Sequence, residues 1–481
     1  MTVDDRRQPG TTMAAIGATA AAAALLYFGT GPDPIPALTW LAALPLFLLA
    51  PRVSARVALL AAFVAGFLGT ANSWSYFLGS DSIPLPMVAV IVLGSSSLLL
   101  LSVALFRAQV LRGRPLTAAL AAPAIWVSGL YVVSLTSPVG VMGTFATSQA
   151  DQPTVVQIAA VTGAWGVEYL VLLVPAAVAA PLAPGIAKAA RLRAGAVVAL
   201  FLVAVLGYGL VRQQGSTTSQ LRVAAIAQTD NKWATDVNSP SGKEILQSYV
   251  DQIAVLPAGV RIVVLPEAVF TVEEADTDAL VLPIRQAAAA KGADVAVGAI
   301  VKRSQGSKYN AVFGVPADGG PAAVFHKWHV GDSPGTVPGD KLAYLSTGVG
   351  LQNCMDVNFP SPARDYALEK TSLLAVPADD EDVDGWQHSR TALLRGVENG
   401  LAMAWAATDG RTLVTDPFGK VLAEDRTGGK PFAVAVADVP GGVAPTPYSR
   451  LGEWFAWLSA AMTLIATVTS LRTRATGRGR E

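Results

Sequence analysis

The chain has 481 residues, of which 52% are apolar or aromatic and only 15% charged; acidic and basic side chains balance, and mean hydropathy is +0.45. Soluble domains carry roughly 25% charged residues, so this composition excludes a wholly soluble globular protein. Zero net charge without a basic stripe gives no reason to expect nucleic acid as a partner, and a single cysteine, Cys354, excludes an intrachain disulfide or a cysteine-cluster metal site.

The charge deficit sits in the first part of the chain. Between Met13 and Val211 only twelve charged residues occur, in clumps separated by long apolar runs. Such a stretch is solvated by lipid, not water. Segments long enough to cross a bilayer fall at 13–30, 37–50, 57–77, 87–106, 116–135, 156–180 and 194–211, with an eighth at 454–471. The first is read as a retained helix, because six more follow it without a cleavage break.

Orientation follows from the basic residues. With the N-terminus in the cytoplasm, Arg6, Arg7, Arg52, Arg56, Arg107, Arg112, Arg114, Lys188, Arg191 and Arg193 all fall on that side, as do Arg472, Arg474, Arg478 and Arg480. The opposing short loops near 31–36, 78–86 and 136–154 hold Asp33, Asp81 and Asp151 and no Lys or Arg. This is the positive-inside pattern. It predicts a multi-pass protein of the cytoplasmic membrane, both termini cytoplasmic. The expected parts are a helical membrane domain over 1–212 with seven spans, an extracytoplasmic domain over 213–450, and an eighth span with a basic tail over 451–481.

After Arg212 the composition becomes that of a water-soluble domain long enough to bury its own core. Strand-like runs occur at 221–227, 261–265, 294–301, 311–315, 322–325, 371–376, 402–407 and 432–436, and helical patterns at 241–256, 277–291 and 386–400. Several runs are apolar throughout, which predicts strands buried on both faces with helices layered over them: an α/β sandwich.

Three passages each end an apolar strand with a reactive side chain: Val263-Val264-Leu265-Pro266-Glu267, then Val324-Phe325-His326-Lys327-Trp328-His329, then Gly350-Leu351-Gln352-Asn353-Cys354. Each alone has an ordinary structural reading: a loop carboxylate, a snorkelling lysine, a small buried thiol. Taken in order they suit nucleophilic catalysis. A carboxylate in a partly dry cleft can take the thiol proton, and a fixed ammonium can stabilise both thiolate and oxyanion. The backbone N–H of Met355 is a second candidate oxyanion donor. The product would be a thioester acyl-enzyme, with Glu267 returning its proton to the leaving group.

These motifs resemble the nitrilase, or carbon–nitrogen hydrolase, superfamily, and in particular its membrane-anchored branch, the apolipoprotein N-acyltransferases. Leu265-Pro266-Glu267 resembles the family's base motif, His326-Lys327 with His329 its lysine motif, and Cys354 its nucleophile. Trp386-Gln387-His388, followed by Arg395 and Glu398-Asn399-Gly400, resembles the helix after the nucleophile. The stretch from Ala227 to Trp233 resembles the opening strand with its tryptophan-bearing loop. The resemblance implies eight spans and a nitrilase-like αββα sandwich between the last two. It also implies transfer of an acyl chain from a phospholipid donor, through a cysteine thioester, to the N-terminal amino group of a diacylated lipoprotein acceptor, without cofactor or metal. A membrane platform suits such substrates, since drawing lipid into water costs about 0.8 kcal/mol per exposed CH₂.

The chain departs from the family's pattern in two places. The position of its second glutamate, eight residues after the lysine, is Gly335, with Asp332 and Asp340 as nearby carboxylates; Met355-Asp356 stands where the family has Tyr-Glu. Candidate supporting residues are therefore Trp233, over the cleft or over the domain edge; Asp356, a shorter carboxylate or a turn cap; and Asp332. His388 with Gln387 reads as a packing and hydrogen-bonding pair. Glu168 is an intramembrane carboxylate, near a headgroup or at the interface beside aromatic anchors. His326 and His329 shape the lysine loop, and no H-E-x-x-H spacing suggests zinc. Hydrolysis and aminolysis use the same trio, so a membrane-tethered amidase or nitrilase and a degenerate lipid-binding homologue stay open. A transporter is the weakest reading, because Glu168 is the sole charge inside the spans.

Overall fold

A computed structural model describes residues 9–80, 83–215, 220–229, 233–304, 306–346 and 348–477. Arg6, Arg7, Asp81, Asp230, Asn231, Lys232, Arg478 and Arg480 lie outside the described residues.

Among the described residues, six helices are long and apolar enough to cross a membrane: Gly10–Gly29, Ala55–Gly79, Leu85–Val110, Pro115–Thr136, Lys188–Arg212 and Trp454–Leu471. The other two expected segments are shorter. The second is broken into Pro36–Ala42 and Leu44–Leu49, with Pro45 opening the latter. The sixth becomes the 16-residue helix Ala164–Ala179, preceded by short turns. Gly163 adopts φ +70 between them, a conformation a helix interior does not use. A few polar side chains join neighbouring helices: Ser102 donates to the Ala122 carbonyl at 2.8 Å, and the Gln109 amide to the Ala466 carbonyl at 2.6 Å.

The remainder folds as a four-layer αββα sandwich. One sheet contains β1 (Gln220–Gln228), β2 (Thr235–Asp236), β3 (Ile262–Val264), β4 (Phe270–Glu273), β5 (Asp294–Lys302), β6 (Lys308–Val315) and β7 (Ala323–His326). The other contains β8 (Tyr344–Ser346), β9 (Val349–Leu351), β10 (Leu373–Asp379), β11 (Ala402–Thr408), β12 (Arg411–Thr415) and β13 (Val421–Arg426). The last strand, β14 (Phe432–Pro440), returns to pair antiparallel with β1 in the first sheet.

Alternation explains why the strands read as unbroken apolar runs. In β1, Val223 and Ala225 point between the sheets, while Ala224 and Ile226 point to the outer layer. That layer is formed by the helices Pro240–Val255 and Asp278–Lys291. Ala402, Ala404 and Ala406 of β11 line the inter-sheet core, and Met403, Trp405 and Ala407 its outer face. Both faces are dry, so both are apolar.

The helix Gly385–Asn399 is the seam between the sandwich and the apolar helices. Leu393, Leu394 and Val397 share a core with Ala146, Val156, Ala159 and Val167. Arg390 pairs with Asp151 at 2.8 Å, Glu398 accepts from the Ala164 N–H at 2.5 Å, and Asp384 accepts from Tyr76 at 2.6 Å. Packed on two sides, this helix is buried almost throughout despite its polar sequence.

Candidate active site

Strands β3, β5 and β7 run in one direction in the first sheet, as do β9 and β10 in the second. Glu267, Lys327, Cys354 and the pair Asp379–Asp380 all lie at or just past the C-terminal ends of these strands, where side chains can converge on a cleft.

Glu267 is 2% exposed and is held by a tight elbow. Pro266 ends the strand, Ala268 takes φ +45, and the Glu267 N–H donates to the Ala378 carbonyl at 3.0 Å. Gly298 of β5 makes this possible, since a Cβ there would stand 2.6 Å from both Glu267 Cα and the Pro266 oxygen. Those atoms are backbone and cannot swing aside. Gly298→Ala is therefore expected to cost about 1–3 kcal/mol of stability through overpacking. It should also slow the reaction by moving the carboxylate, which parallel measurement of thermal unfolding and rate would check; unaltered values of both would refute the close approach.

The Lys327 ammonium donates to Glu267 Oε1 at 2.7 Å, and the Asn310 side chain donates to the same oxygen at 2.6 Å. Asn310 is a hub: its backbone carbonyl accepts from the Lys327 N–H at 2.9 Å, and its side-chain oxygen accepts from Asn353, next to Cys354, at 2.9 Å. Burial disfavours the ammonium, but the charges of Glu267, Cys354 and Asp356 outweigh it, and Lys327 stays firmly protonated.

Cys354 is buried and starts a 3₁₀ turn with φ +39, an uncommon conformation for a non-glycine residue. Its thiol donates to the Asp379 carbonyl at 3.5 Å. Burial, then the negative charge of Glu267, push the thiol well above its ordinary range, and Lys327 relieves this in part. The resting group is the protonated thiol, so nucleophilic use of the sulfur requires a base.

The lysine loop is tied down by Asp356, which is fully buried. Its Oδ1 accepts from the His329 N–H at 2.8 Å and lies 2.9 Å from His329 Nδ1. The His329 ring stacks on Phe359 at 3.7 Å and that of His326 on Tyr309 at 3.8 Å. Asp332 is exposed on the loop beyond, as is Asp340, and Gly335 forms a turn with φ +71. The buried carboxylate of this region is thus Asp356. Met355 is half-buried beside Gly331, and Trp233 is 53% exposed. Glu168 is buried elsewhere, accepting from Trp126 at 3.0 Å and the Ala146 N–H at 2.6 Å, so it anchors the segment after the helix Pro115–Thr136 instead of facing lipid.

Sequence reasoning missed Asn310, Asn353 and the Asp379–Asp380 pair. His388, expected to pack and hydrogen-bond with Gln387, has its Nδ1 2.7 Å from Asp380 Oδ1. Asp379 is pushed up to about 8, by burial first and then by the negative charges of Glu267, Asp380 and Asp409. Between the ordinary aspartate value of 3.8 and about 8, the folded chain holds a proton that the unfolded chain has lost. Stability through this group is therefore fullest at the acid end of that window, falls as pH rises, and levels off above about 8. Asp379→Asn is expected to flatten that decline in an unfolding-temperature series, and an unchanged slope would refute the assignment.

The αββα sandwich is that of a nitrilase-like enzyme, and the carbon–nitrogen hydrolase profile matches residues 222–448. The profile of the apolipoprotein N-acyltransferase N-terminal domain matches residues 22–177. With both domains present in this order, the chain belongs to the apolipoprotein N-acyltransferase family.

Among curated relatives, an apolipoprotein N-acyltransferase of Gloeobacter violaceus is 25% identical over 286 residues, 53% of each chain. Another, of Bradyrhizobium diazoefficiens, is 24% identical over 365 residues, 65% of this chain and 66% of its own. The chain thus spans about half the length of the first relative and just under two thirds of the second. Among solved structures, the nitrilase-superfamily protein Nit3 of Saccharomyces cerevisiae aligns over 46% of this chain and 91% of its own, at 20% identity and a TM-score of 0.40. A variant amidase from Nesterenkonia sp. AN1 aligns over 52% and 98%, at 22% identity and a TM-score of 0.40.

Proposed function

We propose that this enzyme transfers a fatty acyl chain from a phospholipid, through a Cys354 thioester, to the N-terminal α-amino group of diacylglyceryl-cysteine in a lipoprotein. The observation that carries the reading is the clustering of Glu267, Lys327 and Cys354 at strand ends, in a chain of this family that also bears membrane-length helices. Glu267 takes the thiol proton as sulfur attacks the ester carbonyl. Lys327 and the Met355 N–H stabilise the oxyanion, and the lysophospholipid alkoxide leaves with the proton from Glu267. The acceptor amine then attacks the thioester, its proton passes to Glu267, and the thiolate is reprotonated from there. Asp356 holds the lysine loop, and the exposed Trp233 is assigned the cover over bound acyl chains. The seam helix Gly385–Asn399, meeting Asp151 and Ala164, supports a cleft open towards the membrane.

The same reading takes the chain to cross the cytoplasmic membrane eight times. The shorter segments 36–52 and 164–179 complete the count, residues 213–450 are extracytoplasmic, and the basic ends are cytoplasmic. The test is mass spectrometry of the full chain after incubation with phospholipid, followed by addition of a diacylated lipopeptide. An acyl adduct on Cys354 that disappears as triacylated peptide forms is expected. Acylation of the peptide by a Cys354→Ala chain would refute the mechanism, and release of free fatty acid without peptide acylation would reassign the chain as a hydrolase.

A further inference from the structure

We propose that the Asp379 carboxylate is the seat for the α-ammonium of the acceptor lipoprotein, and that it takes up the proton which this group must lose before it can attack. Given the acyltransferase reading, on which this rests, Asp379 is the residue that receives the second substrate. In β10, Leu373 and Ala375 belong to the core between the sheets, and Leu374, Val376 and Ala378 to the outer layer. Alternation therefore turns Asp379 into the gap between the sheets, where the charges of Glu267 and Lys327 act on it, and turns Asp380 outward to His388. The Asp379 carbonyl accepts from the Cys354 thiol at 3.5 Å, so its side chain leaves the backbone beside the sulfur that would carry the acyl group.

Asp379 also stands apart from the acids around it. Glu267 meets Lys327 and Asn310, Asp356 meets the lysine loop, and Asp380 meets His388. Asp379 is half-buried, yet its carboxylate has no hydrogen-bond or ion-pair partner among the described residues. The charges that face it are Glu267 from the elbow after β3, Asp380 beside it and Asp409 from the turn after β11, against the ammonium of Lys327. A carboxyl in such company lacks a cation of its own, and an arriving ammonium supplies one. Free α-amino groups titrate at about 7.7–8.0, and Asp379 is pushed up to about 8, so proton transfer between the two is nearly balanced. At rest the carboxyl holds a proton, which leaves to solvent as the ammonium arrives. An N–H bond then breaks and an O–H bond forms, giving neutral amine and carboxylic acid. The amine lone pair forms the C–N bond as the C–S bond breaks, and the next N–H proton passes through Glu267 to the thiolate. Each turnover releases one proton, as amide formation from an ammonium requires.

The test starts from the full chain carrying its acyl adduct on Cys354, freed of excess phospholipid, and follows discharge of the adduct by mass spectrometry. Asp379→Asn keeps the backbone carbonyl that holds the thiol. Its discharge by a diacylated lipopeptide is expected to slow at least about thirtyfold at sub-saturating peptide, the scale of loss when one partner of a hydrogen-bonded charge pair is removed. The loss toward hydroxylamine, which arrives uncharged, should be at least about tenfold smaller, because no ammonium has to be seated. Equal losses toward the two nucleophiles, or none toward the lipopeptide, would overturn the seat. Should Asp379→Asn yield no adduct, the unaltered chain decides, through protection of Cys354 from alkylation by two lipopeptide analogues. One carries a dimethylated α-ammonium and the other a hydroxyl in its place. Protection by the cation at an at least about tenfold lower concentration supports the seat, and equal protection overturns it. Failure of the acyltransferase reading looks different: the unaltered chain then forms no adduct with phospholipid, and the seat falls with that reading.

Discussion

A Lys327→Ala chain is expected to form the acyl adduct at least about a hundredfold more slowly than the unaltered one, the scale of loss when a preorganised oxyanion donor is removed. The loss should exceed that of a simple donor deletion, because Lys327 also neutralises Glu267 across 2.7 Å in a site where the carboxylate is 2% exposed. Without its cation the carboxylate loses the partner that fixes it beside the thiol, keeping only the Asn310 amide. One substitution thus removes the electrostatic stabiliser and loosens the base. Breaking a buried pair from one side also costs about 3–5 kcal/mol when the remaining charge stays ionised, less if it takes up a proton. Quenched-flow mass spectrometry gives the adduct rate and an unfolding curve the stability; an adduct rate within tenfold of the unaltered chain would remove Lys327 from the chemistry.

The three residues of that argument were legible in the sequence because each closes an apolar run, and a reactive side chain at the tip of a buried strand has few structural reasons to be there. Asn310 was not legible. It stands just before the expected apolar run 311–315, outside any pattern, and matters only once strand β6 extends back to Lys308 and brings its partners Glu267 and Asn353 beside it. Asp380 was hidden differently: the acidic stretch 379–384 looks like a solvated loop, yet Asp380 and Asp384 are buried against His388 and Tyr76. Sequence carries charge, but whether a charge is dry depends on tertiary packing.

The fold shows the same division. Long apolar strands such as β1, β5 and β11 and the helices Pro240–Val255 and Asp278–Lys291 match the expected runs to within a residue or two. Strands β2, β8 and β9 have two or three residues each, too few for any periodicity. Strand β13 carries Glu424, Asp425 and Arg426, and its pairing with β12 is written in backbone hydrogen bonds rather than in apolar pattern. In the apolar region, hydropathy located segments 37–50 and 156–180 but not their interruptions at Pro45 and Gly163, which are backbone effects.

Glu267→Gln is expected to abolish adduct formation, lowering the rate by about three orders of magnitude or more, while leaving the fold nearly intact. Glutamine is nearly isosteric, and its amide oxygen can still accept from both Asn310 and Lys327, so the hub that joins β6 to the lysine loop survives. What disappears is the proton acceptor. Burial holds Cys354 as a protonated thiol, and its hydrogen bond to the Asp379 carbonyl leads to a group that cannot accept the proton outright. Asp379, pushed up to about 8, is itself protonated at neutral pH and is no substitute base there. Raising the pH should therefore rescue Glu267→Gln weakly at most, and any rescue should require Asp379. A Glu267→Gln chain that kept a tenth of the unaltered rate at pH 7 would move the base elsewhere, with Asp380, raised to about 6 and bonded to His388, as the next residue to test.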